Sequence, residues 1–378
     1  MVADLTAARF APEHCPRLVI KIGSSLLVDD SGALRESWMQ SLCADIAERI
    51  KAGQKLIIVC SGAIALGARR LGLAQGGRAT LADAQAAAAV GQIALSRFWQ
   101  EALSDHGFIA AQILLTLDDM EDRRRYLNAT ATLERLMETQ AVPVINENDS
   151  VATEEIRFGD NDRLAASVAQ AVRAGGLLLM SDVDGLYTAN PAKDSAAKRI
   201  ATVETIDSST TGLADDGEGS LMGTGGMASK LAAAKLATEA GIATAIISGR
   251  HDHPLQHFTK GDSGTIFAPS MSPKARKSWL ASRQSARGTI TVDDGAVRAL
   301  LNGASLLAAG ITAIEGEFLR GDLIRLCGTN GTAIAQGLSE YDADVARKVM
   351  GRRSEEHQAI LGTTPRRAVV HRDHMVLL

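Results

Sequence analysis

Residues 17–25, RLVIKIGSS, begin as an apolar run and end in a lysine, a glycine and two serines. The run is short and rich in β-branched residues, so it predicts a buried strand over Leu18–Ile22. Similar runs recur along the chain, separated by Ala- and Leu-rich stretches of helical period. This alternation is typical of a parallel sheet with helices packed on its faces.

The alternating pattern extends to about Phe267. Further strands are predicted at Leu56–Cys60, Ala110–Leu115, Val142–Asn146, Leu177–Ser181 and Ala243–Ser248. Helices are predicted at Arg35–Lys51, Leu81–Ser104, Arg123–Thr139, Asp162–Arg173 and Ser229–Ala240. The predicted fold class is therefore α/β, with a mainly parallel sheet sandwiched by helices.

The chain of 378 residues is long enough for about two domains. We predict an N-terminal tail over residues 1–16 and a large domain over 17–270. Residues 271–285 hold serines, a proline and several basic residues, which is typical of a linker. Short apolar runs between Gly and Asp turns then predict a small β-rich domain over 286–372.

The composition excludes several classes of protein. A net charge of −4 and an aromatic content of 3% argue against a chain built mainly to bind nucleic acid. The four cysteines lack the spacing of a zinc site or a disulfide framework. We recognise neither a signal peptide nor an apolar run long enough to span a bilayer, so we expect a cytoplasmic protein without membrane contact.

Four of the predicted strands end in, or are followed directly by, polar or glycine residues. These residues are Lys21-Ile-Gly23-Ser24, Ser61-Gly62-Ala63, Asn146-Glu-Asn148-Asp149 and Ser181-Asp182. Ligands of parallel sheets bind at the carboxyl ends of the strands, so four such ends predict one site. Each stretch taken alone is equally typical of an ordinary turn.

Two stretches are suited to binding phosphate. A lysine at a strand end, followed by Gly23 and Ser24, offers an ammonium and accessible backbone N–H groups. Residues 223–230, GTGGMASK, precede an amphipathic helix whose N-terminus would attract an anion. The string is not a Walker A loop, and the residues before it cannot be the strand that a dinucleotide fingerprint requires. A snorkelling lysine and a flexible glycine loop are the alternatives.

A third stretch carries carboxylate and amide oxygens. Residues 158–164, FGDNDRL, open a predicted helix, and Glu147, Asn148 and Asp149 lie just upstream. Such groups bind an ammonium or hold Mg²⁺ through water, although a solvated acidic loop is an alternative. We assign no side chain as a direct metal ligand, and His251, His253 and His257 do not form a convincing metal site.

Together these strings resemble the amino-acid kinase family. The resemblance runs from about Arg17 to about Arg372 and rests on the order of KIGSSLL, CSGAIALG, INENDSV, FGDNDRLAA, SDVDGLYTANP and GTGGMASK. It is closest to the members that phosphorylate glutamate at the opening of proline biosynthesis. The string VDDGAVRALLNGASLLAAGI near the C-terminus resembles a PUA domain.

The resemblance implies a role for each matching residue. It implies catalytic roles for Lys21, Asp162 and Lys230, with Asp162 organising the two lysines. It implies glutamate contacts from Ser61, Gly62, Ala63, Asn148, Asp149 and Asn161. It implies ATP contacts from Lys21, Gly23, Ser24, Ser181, Asp182, Thr224, Gly225, Gly226, Met227, Ala228, Ser229 and Lys230. Ser181 and Ser229 replace a threonine frequent in the family, and both keep the hydroxyl.

The implied reaction is ATP- and Mg²⁺-dependent phosphorylation of the γ-carboxylate of L-glutamate. The acceptor is ionised at neutral pH, so the reaction needs cations rather than a general base. The resemblance also implies inhibition by proline, assembly into a dimer or tetramer, and glutamyl phosphate reductase as a candidate partner.

Two alternatives remain. Other members of the family phosphorylate aspartate, N-acetylglutamate, carbamate or a nucleoside monophosphate. PUA domains are also common in RNA-associated proteins, but residues 284–378 carry 11 basic and 11 acidic residues, which argues against RNA as a partner.

Overall fold

The computed structural model describes residues 5–29, 31–151, 161–191, 193–214, 226–261, 263–270, 286–362, 366 and 368–378. The chain forms two compact units. The larger comprises Met1–Glu121 and Asn128–Met271, and the smaller comprises Asp122–Leu127 and Ser272–Leu378. The domain boundaries given above stay predictions, and the linker over 271–285 lies outside the described residues.

The larger unit is built on a mainly parallel sheet. In the described residues its strand order is β3-β4-β2-β1-β5-β9-β10-β8, and the antiparallel neighbours are β9 and β10. The strands of this unit are β1 Arg17–Ile22, β2 Lys55–Cys60, β3 Ile109–Leu115, β4 Ala141–Glu147, β5 Gly176–Ser181, β6 Leu186–Tyr187, β7 Arg199–Ile200, β8 Thr202–Val203, β9 Ala243–Ser248 and β10 Thr265–Phe267. Strands β6 and β7 pair with each other in a separate two-stranded sheet. The six strands predicted in this unit are confirmed.

Helices connect these strands. They are α1 Ser24–Leu27, α2 Glu36–Lys51, α3 Ala63–Leu71, α4 Leu81–Ser104, α5 Leu117–Glu121, α6 Arg123–Glu138, α7 Asn161–Ala171, α8 Ser208–Gly212, α9 Met227–Glu239 and α10 Pro254–Lys260. The five predicted helices are confirmed to within two residues at each end. The helix α3 was not predicted.

The two faces of the central strand β1 have different partners. Leu18, Ile20 and Ile22 belong to one buried cluster with residues of α2, α4 and α10. Side chains alternate along a strand, so Lys21 points to the opposite face, which packs against α7. The strand therefore places Lys21 on the face of the sheet that α7 covers.

Helices α3 and α4 pack at very close range. A Cβ atom added to Gly67 in α3 would collide with the backbone carbonyl of Ala87 in α4. Glycine is required at this crossing because it alone lets the two backbones approach so closely. The contact fixes α3, whose first residue follows the polar end of β2.

Residues ahead of β1 pack onto the larger unit. Phe10 is fully buried within a short 3₁₀ helix over Ala7–Phe10. Its backbone carbonyl accepts hydrogen bonds from Arg49 Nη1 at 2.9 Å and from Gln54 Nε2 at 3.0 Å. The segment that precedes β1 is therefore held in place by these two hydrogen bonds and by the burial of Phe10.

The smaller unit contains a second sheet, with the order β12-β11-β13-β14-β15. Its strands are β11 Gly288–Val292, β12 Ile311–Gly316, β13 Leu323–Gly328, β14 Ala333–Ser339 and β15 Val370–Leu377, and its helices are α11 Asp294–Leu301, α12 Ala343–Val349 and α13 His357–Leu361. Neighbours are antiparallel apart from β11 and β13. The predicted β-rich domain is confirmed. Within the described part of the chain, no helix is long and apolar enough to cross a membrane.

Candidate active site

Asp162 lies between two lysines that come from distant parts of the sequence. Its Oδ1 is 2.6 Å from Nζ of Lys21, and its Oδ2 is 3.3 Å from Nζ of Lys230. Lys21 is in β1, Asp162 is in the first turn of α7 and Lys230 is in the first turn of α9. The residues are only 4%, 1% and 5% exposed, respectively. The predicted arrangement of one aspartate between two lysines is therefore present in the structure.

The electrostatics of this trio favour an anionic ligand. Burial alone would raise the pKa of Asp162, but Lys21 and Lys230 hold that pKa below its usual value. Burial lowers the pKa of Lys230, and Asp162 opposes this effect. Two ammonium groups share one buried carboxylate, and Asp182 adds a more exposed carboxylate near Lys230. An incoming phosphate would offset the positive excess of the trio.

The first turn of α9 places a helix N-terminus at Lys230. The helix begins at Met227, and its N-cap residue is Gly226, which has no side chain to accept from the first N–H groups. The first N–H groups of a helix lack partners within it and carry the positive end of its dipole. The ammonium group of Lys230 therefore lies at the positive end of the helix dipole.

The ends of β1 and β5 are tied to each other. The backbone N–H of Gly23 donates to the carbonyl of Met180 at 3.1 Å. Ser181 Oγ donates to Oδ1 of Asp182 at 3.0 Å, and Arg250 Nε donates to the carbonyl of Asp182. The hydroxyl at the end of β5 and the carboxylate after it are thus held next to the strand that carries Lys21.

Uncharged polar side chains meet at the ends of β2 and β4. Asn161 Nδ2 donates to Ser61 Oγ at 3.0 Å and to Asn146 Oδ1 at 3.3 Å. Gly62 follows Ser61 with φ +102°, a left-handed conformation that favours glycine, and α3 begins at the next residue. Asn161 immediately precedes Asp162, so this polar group adjoins the lysine trio.

A carboxylate with an unusual pKa completes the site. Burial raises the pKa of Asp149 to about 6, and the nearby Arg78 guanidinium opposes the rise. Burial also lowers the pKa of Arg78, which Asp149 opposes. Arg78 follows a left-handed stretch over Gln75–Gly77. An acidic and a basic side chain that interact electrostatically are suited to a zwitterionic ligand.

The described candidate residues therefore fall into two adjoining groups. The first lies at the ends of β1 and β5 and the start of α9, and contains Lys21, Gly23, Ser24, Ser181, Asp182, Gly226, Met227, Ala228, Ser229 and Lys230. The second lies at the ends of β2 and β4 and the starts of α3 and α7, and contains Ser61, Gly62, Ala63, Asn148, Asp149, Asn161 and Asp162. Thr224 and Gly225 lie outside the described residues.

Three further residues interact with these groups, directly or through one another, and were not assigned to the site from the sequence. Arg78 interacts electrostatically with Asp149, and Asn146 Nδ2 donates to Gln92 Oε1 at 2.8 Å. Asn146 was noted only as a polar strand end. The available signal for Gln92 was a lone amide in the alanine-rich run AAAAVGQIALS of α4.

The histidines after β9 make contacts of another kind. His253 Nδ1 lies 2.9 Å from Oδ1 of the buried Asp45, and the rings of His251 and His257 stack 4.2 Å apart. Among the described residues, no three His, Cys, Asp or Glu side chains are grouped so that they could hold a metal ion.

Comparison with known proteins places the chain in a family. Residues 16–248 match the amino acid kinase family, and residues 288–361 match the PUA domain. The chain belongs to the amino acid kinase family. It is 57% identical to the glutamate 5-kinase of Sphingopyxis alaskensis, with 98% of this chain and 99% of that protein covered. It is 56% identical to the glutamate 5-kinase of Zymomonas mobilis, with 100% of this chain and 95% of that protein covered.

The expected family is thus confirmed, and so is the PUA domain after it. In this amino acid kinase the lysine trio and the polar group meet at Asn161 and Asp162, consecutive residues at the start of α7. A nucleotide phosphate and an acceptor bound to the two groups would therefore be adjacent.

Proposed function

We propose that this chain is a glutamate 5-kinase, which transfers the γ-phosphoryl group of ATP to the γ-carboxylate of L-glutamate. The product is L-glutamyl 5-phosphate, and the reaction is the first step of proline biosynthesis. The observation that carries this proposal is the buried trio of Lys21, Asp162 and Lys230. Its support from relatives is the identity to glutamate 5-kinases over almost the full chain.

The chemistry of this transfer matches what the trio offers. A carboxylate oxygen of glutamate attacks the γ-phosphorus, a new O–P bond forms, and the bond to the bridging oxygen breaks as ADP leaves with the electron pair. Because the carboxylate is already ionised, no general base is needed. The barrier is repulsion between two anions, which Lys21, Lys230 and the N-terminus of α9 reduce.

Asp162 acts on the reaction through the lysines. Its position between Lys21 and Lys230 holds both ammonium groups at one place, where charge develops on the transferred phosphoryl group. We assign ATP to the first group of residues and the acceptor to the second group apart from Asp162. Mg²⁺ is proposed to arrive on the phosphates of ATP, since the described residues offer no cage for it, and no step is derived through it.

Glutamate recognition is assigned to the polar group and to Asp149. The α-ammonium would pair with the Asp149 carboxylate, and Ser61 and Asn161 would supply hydrogen bonds to the substrate. Gly62, Ala63 and Asn148 flank these side chains. An N-acetylated substrate lacks the ammonium charge, so this assignment predicts that glutamate is preferred over N-acetylglutamate.

The proposal is tested by turnover of ATP and Mg²⁺ with glutamate, aspartate, N-acetylglutamate, carbamate or UMP. Hydroxylamine traps an acyl phosphate as a hydroxamate, and release of ADP reports transfer to the other acceptors. Hydroxamate formation with glutamate and little turnover with the rest is the expected result. Turnover with another acceptor alone would assign the site to that substrate.

Three regulatory and cellular features are proposed with this function. We propose inhibition by proline, a dimer or tetramer, and delivery of the labile product to glutamyl phosphate reductase in the cytoplasm. Proline titration of the glutamate-dependent rate tests the first, and light scattering tests the second. The third is tested by the rate of the two enzymes together, which should exceed the rate calculated for a product that diffuses freely between them.

A further inference from the structure

We propose that Gln92 is a positioning residue that makes the acceptor site select for an ammonium group. The inference rests on the proposed function, because the ammonium in question is that of glutamate. Gln92 lies in α4 and is half-buried, and its side chain contacts Asn146. Asn146 in turn contacts Asn161, which contacts Ser61. A chain of hydrogen bonds therefore runs from α4 to the acceptor site.

Two partners hold the side-chain amide of Asn146, a backbone N–H on its oxygen and Gln92 on its nitrogen. The N–H of Glu147 donates to Oδ1 of Asn146 at 2.9 Å. A backbone N–H can only donate, so the atom facing it must be the amide oxygen. The Nδ2 of Asn146 is therefore the atom that meets Gln92, and it donates to Oε1 at 2.8 Å.

A second backbone group fixes the orientation of Gln92. The Ser96 hydroxyl donates to the backbone carbonyl of Gln92 at 2.8 Å, which commits its proton. Ser96 Oγ can then only accept from the Gln92 side chain, and Nε2 lies 3.3 Å from it. Gln92 consequently presents Oε1, an acceptor, to Asn146.

The far end of the chain leaves one acceptor for a ligand. Asn146 presents Oδ1 to Asn161, so Asn161 must present Nδ2, which also donates to Ser61. Asn161 is 3% exposed, and its Oδ1 is buried and has no hydrogen-bond partner among the described residues. A buried carbonyl oxygen without a donor is costly, so a substrate that brings an N–H group is favoured.

Two substitutions at Gln92 and one matched control separate this role from general packing. Gln92→Met keeps the length of the side chain but has no acceptor for Asn146, whereas Gln92→Glu keeps an acceptor. Gln100 is the control, because it donates to Ser104 Oγ at 3.0 Å in the same i, i+4 arrangement on α4 but is exposed. The measurements are kcat and KM for glutamate, and the inhibition constant of glutarate against glutamate.

Glutarate has the two carboxylates of glutamate and lacks the ammonium. Its inhibition constant therefore measures how well the site binds the carboxylates alone. We expect Gln92→Met to raise KM for glutamate about tenfold and to leave kcat within about twofold, since one orienting hydrogen bond is lost. The inhibition constant of glutarate should stay unchanged. The KM of Gln92→Glu for glutamate should remain within about threefold of the parent value. The KM of Gln100→Met should equal that of the parent.

Two results would overturn the inference. An unchanged KM in Gln92→Met would show that the chain does not orient Asn161, and equal rises in KM and in the glutarate constant would show a merely structural role. If Gln92→Met does not fold, a folded Gln92→Glu with a tenfold higher KM would equally contradict it. Absence of glutamate-dependent turnover in the parent enzyme would instead contradict the proposed function.

Discussion

Lys21 and Asp162 form a buried ion pair, with 2.6 Å between Nζ and Oδ1, that joins the end of β1 to the first turn of α7. The same carboxylate reaches Lys230 in α9 with its other oxygen. One carboxylate therefore forms an ion pair with each of the two lysines.

Asp162→Asn should lower kcat by roughly a hundredfold while KM for glutamate changes little. Asparagine keeps the shape of the side chain but removes the charge that holds the two ammonium groups together, so preorganised stabilisation of the phosphoryl group is lost. Steady-state kinetics with glutamate and ATP measure this effect. Asp118→Asn, on the exposed side of α5, is the control, and an unchanged kcat in Asp162→Asn would refute the role.

Lys230→Met should also reduce kcat by roughly a hundredfold or more, because a cation beside the phosphoryl group is removed. Lys235 lies on the same helix but is exposed, so Lys235→Met should retain parental activity. Thermal unfolding of both variants separates catalysis from folding. Equal losses of activity in the two variants would show that Lys230 has no special role.

The affinity for glutamate should fall as pH drops through about 6. Burial raises the pKa of Asp149 to about 6, and only the ionised carboxylate attracts the α-ammonium. Below that pH the carboxyl group is protonated and KM for glutamate should rise, up to about tenfold per unit. The measurement is KM as a function of pH between 5 and 8.

Arg78→Met should move this rise in KM to a higher pH. Arg78 lowers the pKa of Asp149, so its removal lets burial raise that pKa further. Arg70 in α3 is exposed, and Arg70→Met should leave the profile in place. A profile that is the same in Arg78→Met as in the parent would show that Asp149 is not the group that titrates.

Gly67→Ala should destabilise the larger unit by roughly 1–3 kcal/mol, because a Cβ at this position collides with the backbone of α4. Gly212→Ala is the control, since a Cβ there meets nothing within 4 Å, and its free energy of unfolding should change by less than about 0.5 kcal/mol. Denaturant unfolding followed by the tryptophan signal compares them. Equal stabilities would contradict the close packing of α3 and α4.

The six predicted strands were recognisable as apolar runs, and burial on both faces explains the continuous runs of β1, β2, β4, β5 and β9, whereas the short strands β6, β7, β8 and β10 were not predicted. Lys21 was recognisable as a site residue because it interrupts such a run at its end. Asp162 could be linked to the lysines only through the family resemblance. The distance between them depends on how α7 and α9 pack, which local sequence does not encode.

Other features depend on contacts between distant residues and were missed. Helix α3 is short and needs α4 beside it, and β15 needs β14 as a partner. Gln92 looks like one more helix residue until Asn146 is placed against it. Arg78 follows a left-handed turn and interacts electrostatically with Asp149, a residue distant in the sequence.

The most direct test of the account follows the oxygen that attacks phosphorus. Glutamate labelled with ¹⁸O in the γ-carboxylate is incubated with ATP, Mg²⁺ and hydroxylamine, and the released inorganic phosphate is analysed by mass spectrometry. Hydroxylamine attacks the acyl carbon, so a phosphate formed by carboxylate attack retains one ¹⁸O atom. The account predicts phosphate with a single ¹⁸O in amounts equal to the hydroxamate. Unlabelled phosphate would show that water, and not the γ-carboxylate of glutamate, receives the phosphoryl group.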